Sequence, residues 1–245
     1  MISAGDVKAA MAAFPFAPLH AVTSGRPVLI LAPHADDESL GCGGLIAASV
    51  AMGVLPMVLI VTDGSKSHPN SPSFPPARLI ATREQETRNA VATLGLPAHR
   101  LKFLRSPDAG APTAGPAFDL AVQSILETAA YAGAETILAP WAHDPHCDHE
   151  ATHLMAESAS SQSGSRRWAY PVWGWTLLDD CPLPGPLPDG VRVRIGQFIH
   201  QKREAIAKHA TQYSDLINDD PAGFRLPPEL LSVFDHPYET FIRLT

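Results

Sequence analysis

A histidine and three acidic residues lie within five consecutive positions, His34-Ala35-Asp36-Asp37-Glu38. Carboxylates placed this close together repel one another, and a bound cation relieves that repulsion. An imidazole combined with carboxylates is a ligand set for zinc or another borderline divalent metal. In a turn, His34 and Asp37 can converge on one point, which leaves Asp36 free to take a proton from metal-bound water. The first cluster therefore predicts a catalytic metal site.

An acidic helix start is the ordinary alternative for this segment, because Asp and Glu complement the dipole at the beginning of a helix. That explanation accounts for Asp37, Glu38 and Ser39. It gives no reason for His34, which follows a run of buried-type residues. We therefore prefer the metal site.

A second polar cluster, His143-Asp144-Pro145-His146-Cys147-Asp148-His149, contains three of the 11 histidines of the chain. Two histidines, one carboxylate and a water form a known catalytic zinc set, in which the open position receives the substrate. We therefore expect His34 and His149 to act at one metal centre.

A zinc-metalloprotease motif competes for the same segment. The residues His149-Glu150-Ala151-Thr152-His153 match H-E-x-x-H, in which His149 and His153 would bind zinc and Glu150 would be the base. Three fixed positions arise by chance in roughly a few per cent of chains of this size. This interpretation also leaves the first cluster unexplained, so the metalloprotease is an alternative hypothesis.

The glycines Gly41, Gly43 and Gly44 offer a different alternative, a nucleotide-binding Rossmann protein. The dinucleotide fingerprint G-x-G-x-x-G starts directly after a strand. Here seven residues separate Pro33 from Gly41, and Leu45-Ile46 replaces the end of the pattern. Close packing of a helix on a sheet is the preferred explanation of these glycines.

Short apolar runs alternate with helical patterns and predict the elements that position both clusters. The predicted strands are 28–34, 56–63, 101–104 and 136–140, and the predicted helices are 39–52, 75–94, 118–131 and 150–160. Further strand-like runs occur at 168–175 and 191–196, followed by a helix at 197–210 and a strand at 238–244. Apolar strands spaced by helices indicate an α/β fold, a Rossmann-like three-layer sandwich with a mostly parallel sheet. Ligands of such sheets bind outside the C-terminal ends of the strands, where both clusters fall.

The chain length and composition restrict the class of protein. The 245 residues fit one domain, with a metal-binding core at about 26–165 and a C-terminal extension at about 166–245. A net charge of −7 without a Lys/Arg run argues against a nucleic-acid partner. Three scattered cysteines favour a reducing compartment, and we expect a cytoplasmic protein. An oligomer is compatible with the sequence, which carries no signal for its state.

One uncharged stretch is long enough to be considered as a membrane-spanning segment. Ser39 to Val61 is 23 residues long, which is enough to span a bilayer. Gly53 and Pro56 divide it into an Ala-rich half and a β-branched half, so a buried helix followed by a buried strand is the preferred prediction. We expect no stable membrane insertion.

Both clusters also resemble the signatures of a known family. The segment APHADDE (32–38) resembles the PHPDDE signature of the PIG-L/LmbE-like N-acetylglucosaminyl deacetylases, and DPHCDHEAT (144–152) resembles their HPDHxA signature. Ala35 and Cys147 stand where that family has proline. Weaker fragments follow in order: VTDGS (61–65), Arg83 with Glu86, Pro107-Asp108, and Lys202 to Gln212. The resemblance spans about 28–212 and also implies a Rossmann-like fold.

The resemblance implies a zinc centre, with Fe²⁺ as another possible metal, and a role for each matching residue. The implied metal ligands are His34, Asp37 and His149. The implied catalytic residues are Asp36 as the general base, His146 as the group that stabilises the oxyanion, and Asp148 as the residue that orients His146. The implied sugar-binding residues are Arg83 and Asp108.

The activity implied by the resemblance is removal of an N-acetyl or other N-acyl group from an N-acetylglucosamine-type sugar or glycoconjugate. A non-catalytic sugar-binding relative is a further alternative. It is disfavoured because Asp36, His146 and Asp148 are all present, and a mere binder does not need proton-transfer groups. We expect substrate specificity to reside in the loops 64–76, 105–117 and 179–190.

Overall fold

A central β-sheet with helices on both faces forms the protein in a computed structural model, which describes residues 1–244. The strands are β1 (Ile2–Ser3), β2 (Phe16–Ala17), β3 (Leu29–Ala32), β4 (Met57–Thr62), β5 (Leu101–Ser106), β6 (Thr136–Pro140), β7 (Arg166–Tyr170), β8 (Pro182–Leu183), β9 (Gly190–Arg194) and β10 (Tyr238–Leu244). The α-helices are α1 (Ala4–Ala13), α2 (His20–Thr23), α3 (Asp37–Ala51), α4 (Pro76–Thr93), α5 (Gly115–Ala132), α6 (Cys147–Ser163), α7 (Ile199–Ala207), α8 (Ala210–Tyr213) and α9 (Pro228–Val233). Short 3₁₀ helices occupy Ala98–Arg100, Trp173–Thr176 and Gly196–Phe198.

The main sheet is mostly parallel, as predicted. Its eight strands follow the order β2-β9-β10-β7-β6-β3-β4-β5. The strands from β7 to β5 in that order run parallel, and β2 is parallel to β9. Only β10 is antiparallel to both neighbours among the described strands of this sheet. The strands β1 and β8 form a separate antiparallel pair.

Strand β3 shows why helices cover both faces of the sheet. Its four residues are all fully buried. Leu29 and Leu31 pack in a cluster with residues of α5 and α6, whereas Ile30 and Ala32 pack with residues of α3, α4 and α7. Alternate side chains of a strand point to opposite faces, so a continuous apolar strand needs a cover on each side. The predicted three-layer sandwich is confirmed.

The connection order places a crevice between β3 and β6. The chain proceeds from β3 to β4 and β5 on one side, and then returns to place β6 on the other side of β3. This reversal is the topological switch point at which open α/β sheets bind ligands, beyond the C-terminal ends of the strands. The first polar cluster follows β3 and the second follows β6, so the two clusters face each other across the switch point.

The prediction of strand at 168–175 is wrong beyond Tyr170. Residues Trp173–Thr176 form a 3₁₀ helix, not a strand. The carboxylate of Asp144 accepts hydrogen bonds from the backbone N–H groups of Val172, Trp173 and Gly174 at 2.9, 3.2 and 2.7 Å. Three consecutive donors that converge on one carboxylate require a turn, because an extended strand points successive N–H groups in opposite directions.

The uncharged stretch 39–61 folds as predicted into the buried helix α3 and the buried strand β4. Within residues 1–244, no helix combines the length and apolarity needed to cross a membrane.

The glycines of α3 allow the helix to pack closely, as the sequence indicated. A Cβ atom on Gly41 would overlap the ring of Tyr170, and one on Gly44 would lie 2.5 Å from Cδ1 of Ile195. Tyr170 is fully buried, and its hydroxyl donates to the Leu31 carbonyl oxygen at 2.6 Å, so its ring is held in place.

We expect Gly41→Ala to lower the free energy of unfolding by about 2 kcal/mol, because the cost of overpacking exceeds the gain in helix propensity. The matched control is Gly110→Ala, where the nearest atom to an added Cβ lies at 3.8 Å and no strain arises. That variant should stay within about 0.5 kcal/mol of wild type in urea unfolding. Equal urea midpoints for the two variants would contradict this expectation and show that the Tyr170 ring moves to accommodate the added methyl group.

Candidate active site

A cavity of about 320 Å³ opens at the C-terminal ends of β3, β4, β5 and β6. Six of the eight predicted site residues line it: His34, Asp36, Asp37, Arg83, Asp108 and His146. The other two, Asp148 and His149, are fully buried directly behind the lining. The fold thus collects residues from four separate connections at one place.

The turn between β3 and α3 is built around the carboxylate of Asp37. Its Oδ2 accepts a hydrogen bond from the backbone N–H of His34 at 2.9 Å and lies 3.2 Å from the Nδ1 of the same residue. Asp36 has φ +127°, a backbone conformation that residues other than glycine rarely adopt. The turn therefore directs Asp37 towards His34 and places Asp36 separately in the cavity wall.

Asp37 also joins the two polar clusters. Its Oδ2 lies 3.2 Å from Nε2 of His149, which follows β6. Donor atoms bound to one tetrahedral zinc ion lie about 3.3 Å apart when the bonds measure about 2.0–2.1 Å. The two distances from Asp37 Oδ2, to His34 Nδ1 and to His149 Nε2, therefore match the spacing of donors that share one metal ion.

A buried orphan atom supports this assignment. His149 is fully buried, and its Nε2 has no hydrogen-bond partner among the described residues. The opposite ring nitrogen, Nδ1, lies 2.9 Å from Oδ2 of Asp144. Asp144 accepts a hydrogen bond from Nδ1–H, so Nε2 is the ring nitrogen that would give up its proton to bind a metal ion. An unpaired buried nitrogen is costly, and a metal ion would satisfy it.

The charge balance also favours a bound cation. Although burial lowers the pKa of His149, the charge of Asp37 and the hydrogen bond to Asp144 raise it to about 9. The pKa of His34 is likewise well above its usual value, because Asp108, Asp148 and Asp37 outweigh the effect of burial. The carboxylates thus stabilise positive charge at both imidazoles, as expected where a divalent ion binds.

Other ligand sets are geometrically available. The ligand atoms of His34, His146 and His149 lie within 4.8 Å of one another, as do those of His146, Cys147 and Asp148. Nδ1 of His146 already accepts a hydrogen bond from the backbone N–H of Asp148 at 3.2 Å. We therefore favour Asp37 over His146 as the third ligand, since Asp37 lies against both other ligands.

The structure gives Asp148 a different partner from the one that the resemblance implied. Its Oδ2 lies 3.1 Å from Nε2 of His34, and its oxygens accept hydrogen bonds from the N–H groups of Ala109 and Ala111 at 2.8 and 3.0 Å. No hydrogen bond joins its carboxylate to the ring of His146 within residues 1–244. Asp148 therefore orients His34, with its Nδ1 towards Asp37.

A backbone N–H group, rather than the Asp148 carboxylate, sets the tautomer of His146. It is the N-cap of α6, and its Nδ1 accepts from the Asp148 N–H. Burial and the nearby His34 lower its pKa, so the ring is neutral with a proton on Nε2. This places one N–H donor of His146 at the cavity.

Burial and the charge of Asp37 raise the pKa of Asp36 to about 7, against the lowering effect of Arg83. Nη2 of Arg83 lies 3.6 Å from Oδ2 of Asp36 and donates to the Ala35 carbonyl at 2.8 Å, while Nη1 donates to the Gly64 carbonyl at 3.2 Å. A carboxyl group with a pKa near neutrality suits a proton carrier.

The sugar-binding candidate Asp108 also lines the cavity. It accepts from the backbone N–H of Lys66 at 2.7 Å, and its Oδ1 lies 3.5 Å from Nε2 of His34. The hydrogen bond with Lys66 connects two of the loops in which we expected specificity.

Part of the cavity comes from residues to which the sequence assigned no ligand or catalytic role. Trp173, Gln212, Phe224 and Leu226 line it, together with Lys66, Ser67 and Ala109 of the predicted loops. No residue of 179–190 contributes among those described, so that loop prediction is not supported by the lining. The sequence analysis also gave Asp144 no role, although it supports His149. Metal-binding histidines commonly donate their second N–H to a carboxylate. The position of Asp144, five residues before His149 in the same cluster, could therefore have indicated this role.

The metalloprotease motif does not assemble into a site. His153 directs its Nδ1 to the Pro140 carbonyl oxygen at 3.1 Å, and Glu150 is exposed on α6.

We therefore expect His153→Ala to retain one equivalent of zinc, because its imidazole binds a carbonyl group. His149→Ala should lose the metal, because it removes the unpaired Nε2. Metal content after gel filtration, measured by mass spectrometry, distinguishes the two. A His153→Ala protein without metal would contradict the site described here and favour the H-E-x-x-H motif.

Comparison with known proteins identifies the family of this chain. A family model described as GlcNAc-PI de-N-acetylase (PIG-L) matches residues 29–160. The chain is 31% identical over 151 residues to 2′-N-acetylparomamine deacetylase of Streptomyces fradiae, which covers 57% of this chain and 54% of that protein. It is 25% identical over 197 residues to the probable N-acetyl-α-D-glucosaminyl L-malate deacetylase 2 of Bacillus anthracis, covering 79% and 84%. The chain thus spans about half the length of the first of these relatives.

A solved structure shows the same fold. N,N′-diacetylchitobiose deacetylase from Pyrococcus horikoshii superposes with a TM-score of 0.61 at 20% identity, covering 88% of this chain and 82% of that one. Both sequence relatives are named deacetylases, which are hydrolases of N-acetyl amides. The family model covers more than half of the chain and includes both polar clusters, so this protein belongs to the PIG-L family of GlcNAc-PI de-N-acetylases.

Proposed function

We propose that this protein is a metal-dependent deacetylase that removes the N-acetyl group from an N-acetylglucosamine-type sugar or glycoconjugate. The observation that carries the proposal is the placement of Asp36, with its pKa near 7, beside the donor set of His34, Asp37 and His149 in one cavity. The relatives named above act on N-acetylated amino sugars, which agrees with this reaction.

The metal would be held by His34, Asp37 and His149. Two imidazoles and one carboxylate are a donor set of catalytic zinc sites, and Fe²⁺ is an alternative for the same donors. A divalent metal bound there supplies Lewis acidity, which polarises the amide carbonyl and lowers the pKa of water towards neutrality. Asp144 and Asp148 support the site by fixing the ring orientation of His149 and His34 respectively.

Asp36 would act as the general base and then as the general acid. Its carboxylate takes a proton from the attacking water and, after the tetrahedral intermediate has formed, returns that proton to the leaving nitrogen. Its place in the cavity wall beside the proposed metal ligands would let one carboxyl group serve both transfers. The products are acetate and the free amino sugar.

His146 would stabilise the oxyanion of the intermediate. Its Nδ1 is occupied by the Asp148 N–H, so the Nε2–H faces the cavity as a hydrogen-bond donor. A preorganised donor favours the transition state over the substrate, because negative charge develops on the amide oxygen only as the water attacks.

The sugar ring would contact Arg83 and Asp108, which line the same cavity as Asp36. Trp173 and Phe224 add an apolar wall, with ring centroids 5.4 Å apart. We also propose that 1–245 acts as one deacetylase domain, with its core at 26–165. The extension 166–245 contributes β7, β9 and β10 to the same sheet and Phe224 to the same cavity.

The reaction is tested by acetate release from the zinc-loaded protein, with a panel of 2′-N-acetylparomamine, N-acetylglucosaminyl malate, N-acetylglucosaminyl phosphatidylinositol and diacetylchitobiose. We expect at least one compound to release stoichiometric acetate, and removal of zinc by a chelator to abolish release. Absence of acetate from every N-acetyl sugar tested would contradict the proposed function.

We expect Asp36→Asn to retain zinc and lose turnover by about 10²- to 10⁴-fold, because an amide cannot carry the proton. Metal content and kcat are measured on the same preparation. His153→Ala is the control, since it alters a histidine of α6 that does not line the cavity and has no proposed role. A near-normal kcat in Asp36→Asn would refute its assignment as the base.

A further inference from the structure

The backbone at Asp36 is strained and needs support. With φ +127° and ψ −33°, Asp36 lies outside the regions that residues with a Cβ atom favour. Such a conformation is unfavourable and persists only where surrounding contacts hold it. The direction of the Asp36 side chain depends on this backbone geometry, so whatever holds the peptide also aims the carboxyl group.

The peptide bond between Ala35 and Asp36 is held at both of its polar atoms. Its carbonyl oxygen accepts from Nη2 of Arg83 at 2.8 Å. Its N–H donates to Oε2 of Glu38 at 3.0 Å. These two bonds lie on opposite edges of the peptide plane and together fix its rotation, because a peptide unit is planar.

Glu38 is itself held by a histidine from a distant part of the chain. Its Oε1 lies 2.9 Å from Nε2 of His209 and accepts from the Ser39 hydroxyl at 2.6 Å. Glu38 and His209 are both fully buried. The reaction described above uses neither side chain, and burial of such a pair gives little net stability, because desolvation offsets the attraction.

A separate anchor keeps His209 in place. The next helix, α8, contains Thr211, whose N–H and hydroxyl donate to the carboxylate of Glu86 in α4 at 2.9 and 2.6 Å. His209 precedes α8 directly. The segment that carries His209 is therefore tied to α4, the helix that also carries Arg83.

Anchoring of the C-terminal segment to α3 does not need Glu38. A second buried pair, Lys202 with Glu239 at 2.7 Å, already joins α7 and β10 to that helix. Glu239 accepts from the backbone N–H groups of Gly44 and Leu45 at 2.7 and 2.8 Å, well inside α3. The two pairs thus differ in one respect, since only Glu38–His209 contacts the strained turn.

We propose that Glu38 and His209 are a positioning pair that, with Arg83, clamps the Ala35–Asp36 peptide and so aims the Asp36 carboxyl group for proton transfer. This inference rests on the proposed function, in which Asp36 carries the proton. It gives Arg83 a role in positioning the base in addition to any contact with sugar. The family signature has proline at the position of Ala35, and a proline ring would restrict the backbone there. In this chain the hydrogen bonds from Arg83 and to Glu38 would restrict the same turn.

The test compares Glu38→Ala with Glu38→Gln. Glu38→Ala removes the acceptor of the Asp36 N–H, and we expect kcat to fall about 10- to 100-fold with KM within twofold and zinc retained. Glu38→Gln keeps an acceptor oxygen at the same place, so it should recover kcat to within about fivefold of wild type. His209→Ala removes the support of Glu38 from the other side and should lower kcat in the same direction.

Lys202→Met is the matched control. It breaks the other buried pair on α3, so it should lower the melting temperature while kcat stays within twofold of wild type. An equal loss of kcat in Lys202→Met, or a kcat within twofold of wild type in Glu38→Ala, would overturn the positioning role. Loss of zinc in parallel with kcat in Glu38→Ala would also overturn it, because the pair would then support the metal.

A crystal structure of Glu38→Ala gives a readout that does not depend on turnover. We expect Asp36 to leave the positive-φ region once its N–H has lost its acceptor. An unchanged φ at Asp36 would overturn the clamp, whereas a wild-type protein that releases no acetate from any N-acetyl sugar would overturn the proposed function instead.

Discussion

The site depends on one carboxylate oxygen that is shared between two histidines from different connections of the sheet. Oδ2 of Asp37 lies 3.2 Å from His34 and 3.2 Å from His149, across the point where the strand order reverses. Four buried carboxylates, those of Asp37, Asp108, Asp144 and Asp148, surround the two imidazoles, and their combined negative charge favours a bound cation. Because the switch point alone brings the ends of β3 and β6 side by side, the sheet topology is what makes this sharing possible.

Buried carboxylates organise the loops around that oxygen. Asp144 accepts hydrogen bonds from three backbone N–H groups after β7, and Asp148 accepts two after β5. Glu38 accepts one from the N–H of Asp36. Each also lies against one histidine, so a single side chain fixes both a loop and a ring orientation. A carboxylate can do this because it offers several acceptor positions, whereas the N–H groups of an irregular loop have no ladder to satisfy them.

The same arrangement separates the roles of two adjacent acids. Asp37 lies at the start of α3 with two imidazoles, which lower its pKa despite its burial. Asp36, one residue earlier, lies in strained backbone with the charge of Asp37 beside it, and its pKa is raised to about 7. Neighbouring carboxyl groups whose surroundings move their pKa values apart are suited to different tasks, one as a ligand and one as a proton carrier.

The sequence by itself determined the mostly parallel sheet, because continuous apolar strands such as β3 and β4 need cover on both faces, and it indicated both polar clusters at strand ends. It also indicated His34, Asp36 and Asp37, because these residues are close in sequence and their types repel without a cation. Tertiary structure alone decided that Asp148 supports His34, that Glu38 meets His209, and that Phe224 lines the cavity. The first two contacts join residues 114 and 171 positions apart, and no local pattern encodes a pairing that arises only when distant elements have packed together. The turn at Trp173 likewise looked like a strand, because its alternating aromatics carry no sign of the distant Asp144 carboxylate that bends it.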